Sequence, residues 1–292
     1  MRRVLVFGVA ATAFVGGCAS GPFSSASEPP VVEVSVEDVR TIEFPLDPYL
    51  NVGGSAYDVE ADAYQILMER CLAGFGFTVD PRPAVASVDL RARKYGLVNM
   101  NDALQYGYNN PLTAGDGADD AAAAPPKSDA FYAVAYGEGP SGTYNGMEIP
   151  EGGCHGAAQR TLDDGAAPVA NPMFGQALRN QASNLAEQDS RVVAAFSAWS
   201  ECMARSGYDY DDPWEANDDP AFNGPEATQM EISVAAADVA CKEEVDLVDT
   251  WAAVEVAYQE RLIEENSVAL AELLELLEVR RRNAAEVVER EA

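Results

Sequence analysis

From Glu226 to Glu289 the chain contains neither glycine nor proline, and no other feature constrains its fold as strongly. Those two residues are the usual terminators of helices, and helix formers dominate the stretch. Trp251, Val254, Tyr258 and Leu262, then Leu270, Leu273, Leu274 and Leu277, recur at steps of three and four. Glu255, Arg261, Glu265, Glu272 and Arg280 fall between them. This is the period of an amphipathic helix. The tail therefore reads as a helical hairpin or one long helix. Its apolar stripe is not a sustained heptad, so packing on the chain's own helices is expected rather than a coiled-coil partner.

Helical spacing recurs earlier. Asp58–Ala73 carries Ala61, Tyr64, Ile66, Leu67, Met68, Cys71 and Leu72, and Gly74 and Gly76 supply a stop. Asn101–Tyr106 reads as a short helix capped by Asn99 or Asn101, and Gly153–Leu162 as another beginning at Cys154. Phe174–Ser206 is a long helical region expected to break near Asp189, with Phe196, Trp199, Cys202 and Met203 on one face. Val31–Asp38 alternates valine with polar residues and Ile42–Leu46 is a short apolar run, so one strand is expected there. Tyr144–Pro150 reads as a hairpin arm, and Thr78–Ala92, with Pro81 and Pro83, as loop. Leu112–Lys127 is rich in alanine, aspartate and glycine and too poor in large apolar groups to fold alone. The fold class expected is mainly α, with minor β-structure.

The first eighteen residues set the address. Arg2 and Arg3 precede an apolar run from Val4 to Val15, and Val15-Gly16-Gly17-Cys18 places small residues before a cysteine. So short a run cannot span a bilayer as a permanent helix, and the pattern is that of a lipoprotein signal peptide cleaved before Cys18. Lipidation of Cys18 would anchor the protein on the extracytoplasmic face of the membrane, more than one acyl chain being needed for stable anchoring. The expected organisation is a signal peptide over 1–17, a flexible tether over 18–36, a first Cys-bridged half over 37–170 with a disordered loop near 112–128, and a second over 171–292.

Cysteine usage follows from that address. Besides Cys18 there are Cys71, Cys154, Cys202 and Cys241, an even number in an oxidising setting, so two disulfides are expected with three possible connectivities. A zinc site would need closely spaced ligands, and no Cys-x-x-Cys occurs. An internal echo selects among the pairings. Cys71-Leu72-Ala73-Gly74-Phe75-Gly76-Phe77 parallels Cys202-Met203-Ala204-Arg205-Ser206-Gly207-Tyr208, each with an apolar residue after the cysteine and glycine five positions on. Each motif is followed by a second cysteine at an expected helix start. Cys71–Cys154 and Cys202–Cys241 are the simplest consistent bridges, each worth about 3 to 4 kcal/mol in the chain-entropy view.

Charge excludes whole classes of partner. There are 48 Asp and Glu against 19 Lys and Arg, a net −29 that becomes −31 when Arg2 and Arg3 leave with the signal. So acidic a body repels nucleic acid phosphate and anionic headgroups alike. Arg91-Ala92-Arg93-Lys94-Tyr95-Gly96-Leu97 is the one basic knot, expected to pair with acids of the same chain.

No residue set names a reaction. His155 is the single histidine; it adjoins Cys154, but helical neighbours point about 100° apart, and no Gly-x-Ser-x-Gly elbow exists. Gly137-Glu138-Gly139-Pro140-Ser141-Gly142 lacks the Gly-Lys-Ser/Thr of a phosphate loop and reads as a turn. The densest acids, Asp209, Asp211, Asp212, Glu215, Asp218 and Asp219, are interleaved with Tyr208, Tyr210, Trp214 and Phe222. They form a candidate ligand or cation loop, without the glycine an EF-hand requires, set against a capped turn with its aromatics tucked onto the core. No cofactor is expected.

Several short segments resemble a group of lipoproteins from Streptomyces and related actinobacteria that carry no assigned activity. They are Arg70-Cys71-Leu72 through Gly76-Phe77, Arg93-Lys94-Tyr95-Gly96-Leu97, Tyr106-Gly107-Tyr108 and Pro150-Glu151-Gly152-Gly153-Cys154 with Arg160. Cys202-Met203 with Gly207-Tyr208, and Ala237-Asp238-Val239-Ala240-Cys241, complete the set. The resemblance implies secretion and a Cys-bridged helical body. The functional expectation is a non-catalytic binding or accessory module of the cell envelope, meeting a protein or wall polymer. The alternative is an envelope hydrolase using carboxylates of the 209–219 loop.

Overall fold

The computed structural model describes residues 28–50, 55–78, 91–109, 127–137, 142–224 and 226–291. The signal segment with Cys18, the first part of the tether, and the low-complexity stretch over 112–126 lie outside them. The described chain is mainly helical, with a single two-stranded hairpin. In order come α1 (Ser55–Gly74), α2 (Met100–Tyr106), α3 (Asp129–Tyr136), the hairpin β1 (Thr143–Tyr144) and β2 (Met147–Glu148), then α4 (Gly153–Leu162). There follow α5 (Phe174–Glu187), α6 (Ser190–Arg205), α7 (Pro213–Asn217), α8 (Gln229–Glu244), α9 (Leu247–Glu265) and α10 (Ser267–Glu289). No described helix is long and apolar enough to cross a membrane.

The Gly- and Pro-free tail folds as three helices, with α10 the long C-terminal one. Thr228 and Glu231 close a capping box at the start of α8. The two breaks use polar residues in place of glycine: Asp246 adopts a left-handed φ of 51°, and Asn266 bonds back to the carbonyl of Leu262. Helix α9 is interior, with Trp251, Val254, Tyr258 and Leu262 buried in the main core against Leu178 and Ala182 of α5 and Trp199 and Met203 of α6. The α5–α6 break falls where expected, Asp189 capping α6 through the amide of Arg191.

Both disulfides form, Cys71–Cys154 and Cys202–Cys241, each with Cα atoms 5.6 Å apart. The sequence echo is a shared helix stop. At the end of α1, Gly76 takes φ +87° and the amide of Phe77 donates to the Leu72 carbonyl at 3.0 Å. At the end of α6, Gly207 takes φ +89° and the amide of Tyr208 donates to the Met203 carbonyl at 3.0 Å. These are Schellman closures, for which glycine is chosen because a Cβ disfavours positive φ. The echo stops there. Cys154 lies in the first turn of α4, but Cys241 lies near the end of α8, not at the helix start the pattern suggested.

The strand expected near Val31–Asp38 does not form. The segment runs in extended fashion over the helices, with the amide of Val36 donating to Asp249 Oδ1 at 3.0 Å rather than to a neighbouring strand. Two 3-10 turns, Val39–Thr41 and Asp47–Tyr49, then let Val39, Ile42, Phe44 and Leu46 all face the main core. Burial against helices satisfies these apolar groups without a ladder. The strap is already held at Glu28, whose carboxylate accepts from the amide and hydroxyl of Ser190, both at 2.8 Å.

Helix α10 lies along α1 and α4, where Ala63, Leu162, Ala284 and Val287 form a small core. Arg280 ties the three helices, pairing with Asp163, with Gln159 and, at 3.9 Å, with Glu60. A second satellite core of Met68, Leu72, Val134, Ala135, Cys154 and Ala158 surrounds the first disulfide and is faced by half-buried aromatic rings. Helix α3 contributes to it; its eight residues are too few to show a helical period in the sequence, although Ser128 caps it through the Phe131 amide.

Where α5 crosses the strap, Gly175 has no room for a side chain, since a Cβ there would sit 2.2 Å from the Tyr49 carbonyl oxygen. Gly175→Ala should therefore cost about 1–3 kcal/mol through displacement of the strap, read as a lowered urea midpoint at unchanged m.

Candidate functional site

In so acidic a chain, the informative charges are those removed from water. Glu231, Asp238 and Glu255 have 0% exposure and Lys242 3%, and an interior charge persists only when paired and hydrogen-bonded. Lys242 Nζ lies 3.0 Å from Asp238 Oδ2, one helical turn away on α8, and donates to the Leu97 carbonyl at 2.9 Å. Trp199 Nε1 donates to Asp238 Oδ1 at 2.9 Å, and the Tyr108 hydroxyl to Oδ2 at 3.3 Å. Burial pushes the Asp238 carboxyl up and the Lys242 ammonium down, each opposed by the other's charge. Burial, then the Asp238 charge, raises the Tyr108 phenol.

Two further buried carboxylates are also hydrogen-bonded, Glu231 by amides and Glu255 by a cation as well. Glu231 accepts from the amide of Tyr108 at 3.0 Å, and a Cβ at Gly107 would come within 2.6 Å of its Oε1. Glu255 pairs with Lys94 at 2.7 Å and accepts from the Tyr95 hydroxyl at 3.0 Å and Gln259 at 3.2 Å. The basic knot thus points inward. Arg91 pairs with Asp47 at 2.9 Å, and Arg93 donates to the Asn109 carbonyl at 3.0 Å.

The acids from Asp209 to Asp219 are not brought to one point. Asp212 caps α7 by accepting from the amides of Trp214 at 2.8 Å and Glu215 at 2.9 Å. Glu215 accepts from the Asp211 amide, and Asp218 from Asn217 Nδ2. Asp219 accepts from the Ala221 amide at 2.8 Å and the Tyr210 hydroxyl at 2.7 Å, and these bonds hold its carboxyl below the usual range. Asp209 is exposed. Trp214 packs edge-on to Trp251, centroids 5.6 Å apart, and Phe222 stacks on Tyr108. Among the described residues no group of three or more His, Cys, Asp or Glu side chains is placed to hold a metal ion. The segment is built as a run of capped turns.

His155 is not set against a thiol, because Cys154 is in its disulfide. Its Nδ1 lies 2.7 Å from the Tyr64 hydroxyl, and the Tyr136 ring lies 5.8 Å from its own.

A cleft of about 620 Å³ opens between the strap, the segment before α2, and the facing ends of α8 and α9. Glu37, Asp38, Asp102, Glu243, Asp246 and Asp249 line it with Arg40 and Lys242. Two of these acids serve the fold: Asp249 holds Val36, and Asp38 binds Arg40 through both carboxylate oxygens. The Arg40 side chain draws the Asp38 carboxyl down to about 2.

Comparison with protein-family models, with curated proteins and with solved structures finds no match for this chain.

Sequence reasoning missed the Asp238–Lys242 pair and Glu255. The available signal was their position. Asp238 and Lys242 lie one turn apart on a helix stripe that also carries Val234 and Cys241, and Glu255 falls between Trp251 and Tyr258.

Two outcomes follow from these charges. Asp238→Asn or Lys242→Met alone should cost about 3–5 kcal/mol by stranding a buried charge, and the double variant markedly less, as measured by urea denaturation. Asp38 should titrate near 2 by NMR and return toward the usual carboxylate value in Arg40→Ala. Because its folded pKa is depressed, the pair's stabilisation is present above the ordinary carboxylate value of 3.8 and lost as pH falls through about 2.

Proposed function

We propose that this chain is a lipid-anchored binding module of the cell envelope, held on the extracytoplasmic face of the membrane by Cys18 and engaging a protein or wall polymer without catalysis. The observation that carries the reading is the pair of closed disulfides, which persist in oxidising compartments. They agree with the leader pattern that ends at Cys18.

The arrangement of charge supports the non-catalytic part. Catalytic acids and bases have shifted pKa values and also face a substrate. Here Lys242, although it lines the cleft, donates to Asp238 and the Leu97 carbonyl, and Asp238, Tyr108 and Asp219 direct their bonds to other side chains, to a helix cap and to backbone. The surface left to solvent is strongly acidic, so lipid on Cys18, not charge, must hold the body at an anionic membrane.

Growth with labelled palmitate followed by membrane fractionation tests the anchor. The wild-type chain should be labelled and sediment with membranes, and Cys18→Ala should be unlabelled and leave them. A wild-type chain that takes up no label overturns the reading.

A further inference from the structure

The acids of this chain are not spread evenly over its surface. From Gly165 to Ser200, through α5 and most of α6, no exposed residue carries a charge. Helix α5 buries Leu178, Ala182 and Ala186 and turns Ala177, Asn180, Gln181 and Asn184 outward, at the spacing of one helical face. The charged residues of the stretch balance, two of each sign. Asp189 is buried against Arg191, Glu187 accepts from the Trp214 side chain, and Arg179 is half-buried.

The strap is fastened at one end of this face. Glu28 accepts from the amide and hydroxyl of Ser190 at the start of α6, and Arg191 donates to the Pro29 carbonyl at 3.0 Å. Cys18 lies ten residues before Glu28. Ten Cα-to-Cα steps reach at most about 35 Å, whatever their path. Helix α5, with 14 residues, is itself about 21 Å long. Lipid on Cys18 therefore holds the α5–α6 corner close to the membrane, and the body cannot turn every side to it equally.

We propose that the outer face of α5, with the α5–α6 corner, is the side of the body that rests on the membrane, its partner being the anionic lipid headgroup surface. This orientation rests on the lipid anchor proposed above. Within a Debye length of an anionic leaflet every exposed carboxylate is repelled. A body of net −29 lowers that repulsion by presenting the face that exposes no carboxylate. Asparagine and glutamine amides donate to headgroup phosphate oxygens, and Arg179 adds a cation. The place where the strap is fastened and the distribution of charge select the same side independently.

Photo-crosslinking of the full chain, purified in detergent and reconstituted into vesicles of phosphatidylcholine and phosphatidylglycerol, tests the orientation. Probes go at position 180 or 184, with Leu104 on α2 and Met147 on the hairpin, 55% and 40% exposed, as control positions. Lipid adducts from 180 and 184 should exceed those from the controls about fivefold or more. Ala177→Glu with Gln181→Glu places two acids on the face and should lower the adducts from position 184 about tenfold at low salt, with recovery at high salt. Thermal melting checks that this variant is folded; should it be destabilised, Gln181→Glu alone carries the comparison. Equal labelling from all four positions, adducts to a second copy of the chain in place of lipid, or no effect of the added acids overturns the orientation. Flotation separates this failure from that of the anchor. A chain that does not float with the vesicles overturns anchor and orientation together, whereas a chain that floats with unselective adducts overturns the orientation alone.

Discussion

The interior polar seam of α9 is the constraint on which the rest of the structure depends. The helix is buried on nearly every side, yet it carries Glu255 and Gln259, both at 0% exposure. A carboxylate cannot remain there without partners, and helix backbone cannot supply them because its own amides are used along the axis. They come from irregular segments. Lys94 and Tyr95 reach Glu255, and Gln259 accepts from the Leu46 amide at 3.1 Å. The strap over 28–50 and the 91–97 segment are therefore structural members that complete the helical core.

The same constraint governs where the few lysines go. Of three lysines, Lys94 and Lys242 are drawn inside to neutralise Glu255 and Asp238, and Arg280 is committed among α1, α4 and α10. Each of these cations is matched by an acid, so the excess of acids in the composition stays at the surface. Many of those acids, including Asp212 and Asp219, cap short helices and turns, which ties acidic composition to local structure as well as to solubility. Such a surface limits the kinds of partner that can approach.

The disulfides act at different levels. Cys202–Cys241 joins two helices of the main core beside the buried Asp238–Lys242 pair. Cys71–Cys154 braces a small satellite core that could not bury enough area alone and whose outer side carries the half-exposed rings. Bridging where the core is thin gives a rigid face without requiring a larger body beneath it.

What the sequence by itself determined was local. The helical class, the Schellman stops at Gly76 and Gly207, the break at Asp189, the Asn99 cap and the Tyr144–Pro150 hairpin arm could all be read, because each rests on interactions within a few residues. The cysteine pairing was readable as well, through the repeated stop beside Cys71 and Cys202. Tertiary structure decided what depends on distant partners. Val31–Asp38 has a strand's alternation but met helices instead of a second strand, so it became a strap. Asp238 and Glu255 lie on apolar helix stripes in the sequence, but Tyr108, Trp199 and Lys94, which bond them, arrive from elsewhere in the chain. The Asp209–Asp219 run looked like a site because density of acids is visible in sequence, whereas the amides that each carboxylate caps are visible only in space. The contact of Tyr136 with His155 gave no signal for the opposite reason: it exists only once α3 and α4 are packed side by side.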